Sequence, residues 1–157
     1  MKKIIIILIT MILSLNATTY NVKYHGMTLG EITDLSTIKD LYLKAKVTSR
    51  VARFMLGKDN LVYYGGDKPD VGSSKFKKDK KMILYAFKTS ITQKPKFKKF
   101  EISDVKNITL SCESNQSCDF IYYKKGKVNG KGKIEFDENG EFISITEEKS
   151  NFEISRK

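Results

Sequence analysis

The chain has 157 residues and a formal net charge of +11, with 40% apolar and 30% charged residues. That length predicts one domain, and the composition excludes a chain that is disordered throughout. The strong positive charge favours anionic partners over cationic ones.

The first 17 residues have the pattern of a signal peptide. Two lysines precede an apolar run over residues 4–15, and Ala17 supplies a small residue at a cleavage position. The run is shorter than the roughly 20 residues that a membrane-spanning helix needs. We therefore expect residues 1–17 to be removed, leaving one β-rich periplasmic domain over residues 18–157, with secretion beyond the periplasm as the alternative.

Strand-like alternation begins directly after the predicted cleavage site. Apolar and polar residues alternate over residues 20–25, as they do in a half-buried strand. Gly26 and Gly30 then bracket a turn or the start of a second strand. A further strand over residues 40–47 places four apolar side chains on one face: Leu41, Leu43, Ala45 and Val47.

Helical spacing replaces the alternation after this strand. Val51, Phe54 and Met55 recur at the intervals of one helix face, and Gly57 can end the helix. We expect a short helix over residues 49–56, the one helix of the mature chain. Because so short a helix is unstable alone in water, Phe54 and Met55 should pack on the sheet and control access to its interior.

The middle of the chain combines a polar stretch with an apolar run. Residues 67–81 are rich in lysine and contain Pro, Gly and Ser, so we expect a loop there. Residues 82–91, MILYAFKTSI, are expected to form a strand. Pro95 then favours a strand edge or a connection.

Cys112 and Cys118 are the two cysteines, and strand-like sequences flank them on both sides. In an exported protein a disulfide is the default, whereas a zinc site needs about four ligands and redox pairs usually enclose two residues. A hairpin that joins the cysteines also forms two apolar pairs on the same face: Leu110 with Phe120, and Ile108 with Tyr122.

A last hairpin is predicted around the loop DENG at residues 137–140, with Phe136 opposite Glu141 and Ile134 opposite Ile143. Together the patterns predict eight to ten short strands in a meander. The expected fold is all-β, a single domain of antiparallel strands that form a curved sheet or incomplete barrel, with one short helix.

Two stretches of the N-terminal half, YNVKYHGMTLGEI and LYLKAKVTSRVARFMLGKDNLVYYGG, resemble the DUF3108 family of exported bacterial proteins. In that family an opening strand pair leads to a Tyr-containing strand, a short apolar segment and another strand. The resemblance implies an exported, β-rich protein with a shape similar to the half-barrels of lipoprotein carriers, and it implies no functional residue. The cysteine hairpin in the second half departs from the family pattern.

The chain lacks the motifs of common catalytic sites. It contains no Gly-x-Ser-x-Gly, His-Glu-x-x-His, phosphate loop or dinucleotide fingerprint, and GKGK at residues 130–133 is too short to bind phosphate. His25, the one histidine, follows a strand and precedes a glycine, as a solvated turn residue does. We expect no catalytic residue, no metal and no cofactor.

Lysine-rich runs occupy residues 75–81, 94–100 and 124–133. They form either a basic surface for anionic lipid headgroups, acidic polysaccharide or an acidic protein, or solubilising side chains that protect strand edges. Nucleic acid is not an expected partner, because an exported protein rarely meets it. The predicted basic surface consists of nine lysines: Lys77, Lys78, Lys80, Lys81, Lys98, Lys99, Lys124, Lys125 and Lys127.

Two functional hypotheses follow from these patterns. The first is a non-catalytic domain that binds a hydrophobic or amphipathic ligand, or a component of the cell envelope, on its concave face. Nine residues are predicted to line that face, either as packed core or as the wall of a cavity: Leu41, Leu43, Val47, Phe54, Met55, Leu84, Leu110, Phe120 and Tyr122. The alternative is an envelope interaction or assembly factor whose lysines meet an acidic partner or anionic lipid.

Overall fold

An antiparallel sheet dominates the computed structural model, which describes residues 18–57, 59–64 and 78–157. Within these residues ten strands form one sheet that does not close on itself. The strands are β1 (Tyr20–Tyr24), β2 (Met27–Ile32), β3 (Tyr42–Val47), β4 (Asn60–Tyr64), β5 (Lys98–Ser103), β6 (Lys106–Ser111), β7 (Ser117–Lys124), β8 (Lys127–Phe136), β9 (Phe142–Glu147) and β10 (Phe152–Arg156). The helices are a 3-10 helix (Ser36–Asp40), α1 (Arg50–Leu56) and α2 (Lys78–Thr92). The predicted all-β class is confirmed.

The strand order is β4-β3-β2-β1-β10-β9-β8-β7-β6-β5. The first and last strands therefore lie side by side, with Tyr20 of β1 opposite Arg156 of β10. Two meanders, β1 to β4 and β5 to β10, meet at this pair, and β4 and β5 become the two edges of the sheet.

Helix α2 connects the two edge strands. It contacts β4, β5, β6 and the 3-10 helix, so a helix of 15 residues reaches both edges and the sheet curves around it. Its side chains Leu84 and Phe87 enter the main core, while Ala86 packs with Ile102 and Ile108. The helix thus covers the concave face of the sheet.

The strand predicted over residues 82–91 is wrong, because these residues belong to α2. The same helix begins at Lys78, inside the stretch predicted as a loop, and the earlier part of that stretch lies outside the described residues. A continuous apolar run fits a buried strand and a buried helix equally well. Here both Leu84 and Ser90 are buried because the helix lies inside the curve of the sheet.

Aromatic side chains fill one end of the curved sheet. The centroid of the Phe142 ring lies 5.4 Å from the ring centroid of Tyr20, 5.0 Å from that of Phe87 and 6.4 Å from that of Phe136. Lys94 Nζ lies 4.1 Å from the centroid of the Phe136 ring and donates hydrogen bonds to two loop carbonyls. We call this the closed end; the β8–β9 turn lies there.

The predicted disulfide is present between Cys112 and Cys118, and both side chains are buried in the main core. Strands β6 and β7 pair in the predicted register, with Leu110 opposite Phe120. Disulfides form and persist in oxidising compartments, so the bridge is characteristic of an exported protein.

The last hairpin forms, but its predicted register is wrong. Ile134 lies opposite Ile145 rather than Ile143, and the pairing shifts just before the turn. The Asp137 carboxylate accepts a hydrogen bond from the backbone N–H of Glu141 at 2.9 Å, and the backbone N–H of Asp137 donates to the carbonyl of Glu141. The side chain thus holds a longer loop than the predicted DENG turn.

Candidate functional site

A cavity of about 660 Å³ lies between the concave face of the sheet and helix α2. Its inner wall is apolar and consists of Leu43, Leu84, Phe87, Ile108, Phe120, Tyr122, Ile145, Phe152 and Ile154. Ligand sites typically enclose about 300–1,000 Å³ and have mainly hydrophobic walls with a few polar groups. The cavity falls within this range in both volume and lining.

The exposed residues of the lining lie at one end of the cavity. Tyr24 ends β1, His25 belongs to the β1–β2 turn and Lys149 to the β9–β10 turn, and the half-buried Asn129 lies beside them near the start of β8. Antiparallel pairing brings these turns to the same end of the sheet, opposite the closed end. The cavity opens there, and we call this the open end.

Hydrogen bonds join the turns around the opening. The backbone N–H of His25 donates to the carbonyl of Asn151 at 3.0 Å. Lys149 Nζ donates to Oδ1 of Asn129 at 3.1 Å, linking the β9–β10 turn to β8. The mouth therefore has a fixed polar rim rather than a set of independent loops.

The carboxylate of Glu147 is used by its own turn. It accepts hydrogen bonds from the backbone N–H of Lys149 at 3.0 Å, from the backbone N–H of Ser150 at 2.7 Å and from Ser150 Oγ. A Cβ on Gly130 would lie 2.9 Å from Glu147 Oε1, so a glycine there leaves room for the carboxylate. These contacts give Glu147 a structural role at the mouth.

The nine residues predicted to line the interior separate into three groups. Four line the cavity: Leu43, Leu84, Phe120 and Tyr122. Three are buried in the core without lining the cavity: Leu41, Val47 and Leu110. The remaining two, Phe54 and Met55, are exposed.

The prediction that Phe54 and Met55 pack on the sheet is wrong, although helix α1 itself forms. Their side chains are 91% and 72% exposed, whereas Ala52 of the same helix is buried. Ser49 Oγ accepts a hydrogen bond from the backbone N–H of Ala52 at 3.3 Å, and the Arg53 guanidinium donates to a β3 carbonyl at 3.3 Å. Caps and these polar contacts hold the helix, so its apolar face is free to point outwards.

The predicted basic surface is exposed wherever its side chains are described: Lys98, Lys99, Lys124, Lys125 and Lys127. Lys78, Lys80 and Lys81 belong to helix α2, and Lys77 lies outside the described residues.

Sequence reasoning missed several residues of the site. Phe87 was placed in a strand rather than in α2, and Ile145, Phe152 and Ile154 were not assigned to the interior. Alternating apolar residues in the last two strands carried the signal for these three. His25 is an exposed turn residue, as predicted, but it also lies at the mouth of the cavity.

Within the described residues, no group of three or more His, Cys, Asp or Glu side chains is arranged to hold a metal ion. The same part of the chain contains no helix that is long and apolar enough to cross a bilayer.

The chain matches no family model, no curated protein and no solved structure. These comparisons add no support to the resemblance between its N-terminal half and the DUF3108 family, which stays a prediction.

Proposed function

We propose that the protein is a non-catalytic periplasmic domain that binds one hydrophobic or amphipathic molecule in the cavity. Export would use the signal peptide predicted for residues 1–17, which lie outside the described residues. The observation that carries the proposal is the apolar cavity of about 660 Å³ with a polar rim at one end.

The wall of the cavity suits the apolar part of such a ligand. Leu43, Ile145 and Ile154 are presented by the sheet, and Leu84 and Phe87 by helix α2. Each methylene group that moves from water into this space contributes about 0.8 kcal/mol to binding before the ordering cost. An extended apolar chain or a small ring system can therefore be held without any charged partner in the interior.

The polar residues around the opening suit the polar head group of such a ligand. Asn129, Lys149 and His25 present hydrogen-bonding groups at the opening. The Glu147 carboxylate is occupied by its own turn, so it is not placed to act as a general acid or base on the head group.

Native mass spectrometry of protein isolated from its producing cells tests this proposal. The expected spectrum contains a species heavier than the chain by the mass of one lipid-like molecule, which organic extraction removes. The stripped protein should then enhance the fluorescence of an apolar naphthylamine dye, and the extracted molecule should displace that dye. A chain that carries no ligand and binds no dye contradicts the proposal.

A further inference from the structure

Most of the large apolar side chains that are exposed in the described residues lie at the open end. Three of them belong to α1, and the others lie at the β1–β2, β5–β6 and β7–β8 turns. We call the following six residues the apolar rim: Met27, Val51, Phe54, Met55, Val105 and Val128. At the closed end, Phe97 is also exposed, at 65%.

Strand direction and hydrogen bonds place α1 at the open end. Strand β3 runs towards this end, since Val47 near its terminus pairs with Gly30 of β2. The carbonyl of Leu29, a cavity-lining residue, accepts hydrogen bonds from the backbone N–H groups of Thr48 at 3.1 Å and Ser49 at 3.5 Å. Helix α1 therefore begins beside the mouth of the cavity.

The turns on the other side of the mouth are also connected to one another. The backbone N–H of Lys125 donates to the carbonyl of Val105 at 2.6 Å, joining the β7–β8 and β5–β6 turns. An ion pair of 3.1 Å between Lys131 and Glu148 joins β8 to the β9–β10 turn. The apolar rim thus belongs to a continuous arc of turns around the opening.

Three lysines lie within this arc, next to Val128. Lys124, Lys125 and Lys127 are exposed, and none of them forms an ion pair with an acid in the described part of the chain. Arg53, at the same end, instead forms an ion pair with Asp59 at 3.1 Å. Lysines without an acidic partner, at the same end of the sheet as exposed Phe, Met and Val side chains, are characteristic of surfaces that bind anionic membranes.

A bilayer fits this surface better than a folded protein does. The apolar side chains lie on separate turns around an opening, whereas a protein interface has a contiguous, well-packed apolar core. Lipid chains are fluid and can surround each separate side chain. The cavity mouth also lies between these side chains, so a ligand could pass between bilayer and cavity without crossing water.

We propose that the open end docks on a bilayer that contains anionic phospholipids, with the apolar rim inserted among the lipids and Lys124, Lys125 and Lys127 beside the phosphates. This proposal rests on the proposed function in one respect, because it makes the bilayer the source or destination of the cavity's ligand. The docking itself requires only the apolar rim and the three lysines.

Vesicle flotation with matched phenylalanine variants tests the apolar part. Phe54→Ala should lower the partition coefficient onto vesicles of phosphatidylcholine and phosphatidylglycerol about tenfold or more, because a buried Phe contributes that much. Phe97→Ala, the same change at the closed end, should leave partitioning unchanged. Equal effects of the two variants, or no binding by the wild type, would overturn the proposal.

Matched lysine variants test the electrostatic part. The triple variant Lys124→Gln, Lys125→Gln, Lys127→Gln should lose about tenfold to one hundredfold of its binding to the anionic vesicles. The triple variant Lys96→Gln, Lys98→Gln, Lys99→Gln has the same net charge and should lose far less. Equal losses would show a non-directional charge effect and would count against docking through the open end.

Dye binding in solution separates this proposal from the cavity proposal. Phe54→Ala should bind the naphthylamine dye as the wild type does, because its side chain does not line the cavity. Vesicle binding without dye binding would refute ligand binding in the cavity and leave the docking proposal intact. Dye binding without vesicle binding would refute docking and leave the cavity proposal intact. If Phe54→Ala instead abolished self-association of the protein and left flotation unchanged, the apolar rim would be a protein interface. The membrane proposal would then fail.

Discussion

The ring of Phe120 lies over Gly132, its partner across the β7–β8 pair. A Cβ on Gly132 would lie 2.5 Å from Cζ of that ring and 1.9 Å from the carbonyl oxygen of Thr146 on the neighbouring strand. The absence of a side chain at this position lets Phe120 form part of the cavity wall. The GKGK stretch at residues 130–133 thus has a structural explanation that requires no phosphate.

Gly132→Ala should therefore destabilise the protein. The added methyl group must displace both the ring of Phe120 and a backbone carbonyl, and overpacking of this kind costs roughly 1–3 kcal/mol. Urea unfolding measures the change, and Lys133→Ala, on the exposed side of the same strand, serves as the control. Equal midpoints for Gly132→Ala and the wild type would show that β8 and β9 are not packed as described.

The disulfide should contribute modestly to stability. Removing the cross-link from so short a loop should cost about 2 kcal/mol in the chain-entropy model. The double variant Cys112→Ala, Cys118→Ala is the suitable test, because both side chains are buried and serine would add roughly 1–3 kcal/mol for each unpaired hydroxyl. Thermal unfolding of wild type with and without reductant provides the comparison. Complete loss of folding in the alanine variant would contradict this modest role.

Helix α1 should tolerate changes on its apolar face and resist them at Ala52. Phe54→Ala should change the free energy of unfolding by less than about 0.5 kcal/mol, as surface substitutions usually do. Ala52→Leu, at a position that is 3% exposed, should cost roughly 1–3 kcal/mol through overpacking. Chemical denaturation of both variants checks the pair; a larger cost for Phe54→Ala would mean that this side chain is buried in solution.

Asp137 should make stability depend on pH in the acid range. The backbone N–H of Glu141, followed by the guanidinium of Arg156, holds the pKa of Asp137 below its ordinary value. A lowered folded-state pKa stabilises the protein above the ordinary carboxyl pKa of about 4, and this stabilisation is lost as the pH falls through the folded-state value.

Asp137→Asn should accordingly be less stable than the wild type at neutral pH, and the difference should shrink below about pH 4. Urea midpoints measured from neutral to acid pH give this difference. Glu138→Gln, a change at the exposed neighbour, is the control for the loss of one negative charge from this loop. A gap between Asp137→Asn and wild type that stays constant with pH would exclude the carboxylate's charge as the cause.

The strands could be predicted from sequence because their alternation is local. Leu43 and Val47 share the buried face of β3 as their spacing predicted, and the cysteine pair fixed the register of β6 and β7. The register of β8 and β9 was missed because it depends on hydrogen bonds to the Asp137 carboxylate, which no alternation encodes.

The candidate site was harder to predict because it depends on how elements that are distant in sequence pack together. Phe87 lines the cavity only because α2 crosses from one sheet edge to the other, and a ten-residue apolar run does not reveal that path. Phe54 and Met55 do occupy one helix face, but helical spacing identifies a face without showing whether it points towards core or solvent. The exposure of these two side chains is an argument for membrane docking only because they lie at the same end as the mouth of the cavity.

A matched pair of tryptophan variants tests the cavity most directly. Leu84 and Leu110 are both buried, but only Leu84 lines the cavity. Leu84→Trp can extend into empty space, so it should fold with nearly wild-type stability and lose most of its affinity for the naphthylamine dye. Leu110→Trp has no such space and should lose roughly 1–3 kcal/mol or more through overpacking. If both variants lost the same stability, or if Leu84→Trp bound dye as the wild type does, the interior would be packed core and the account of a ligand-binding cavity would be contradicted.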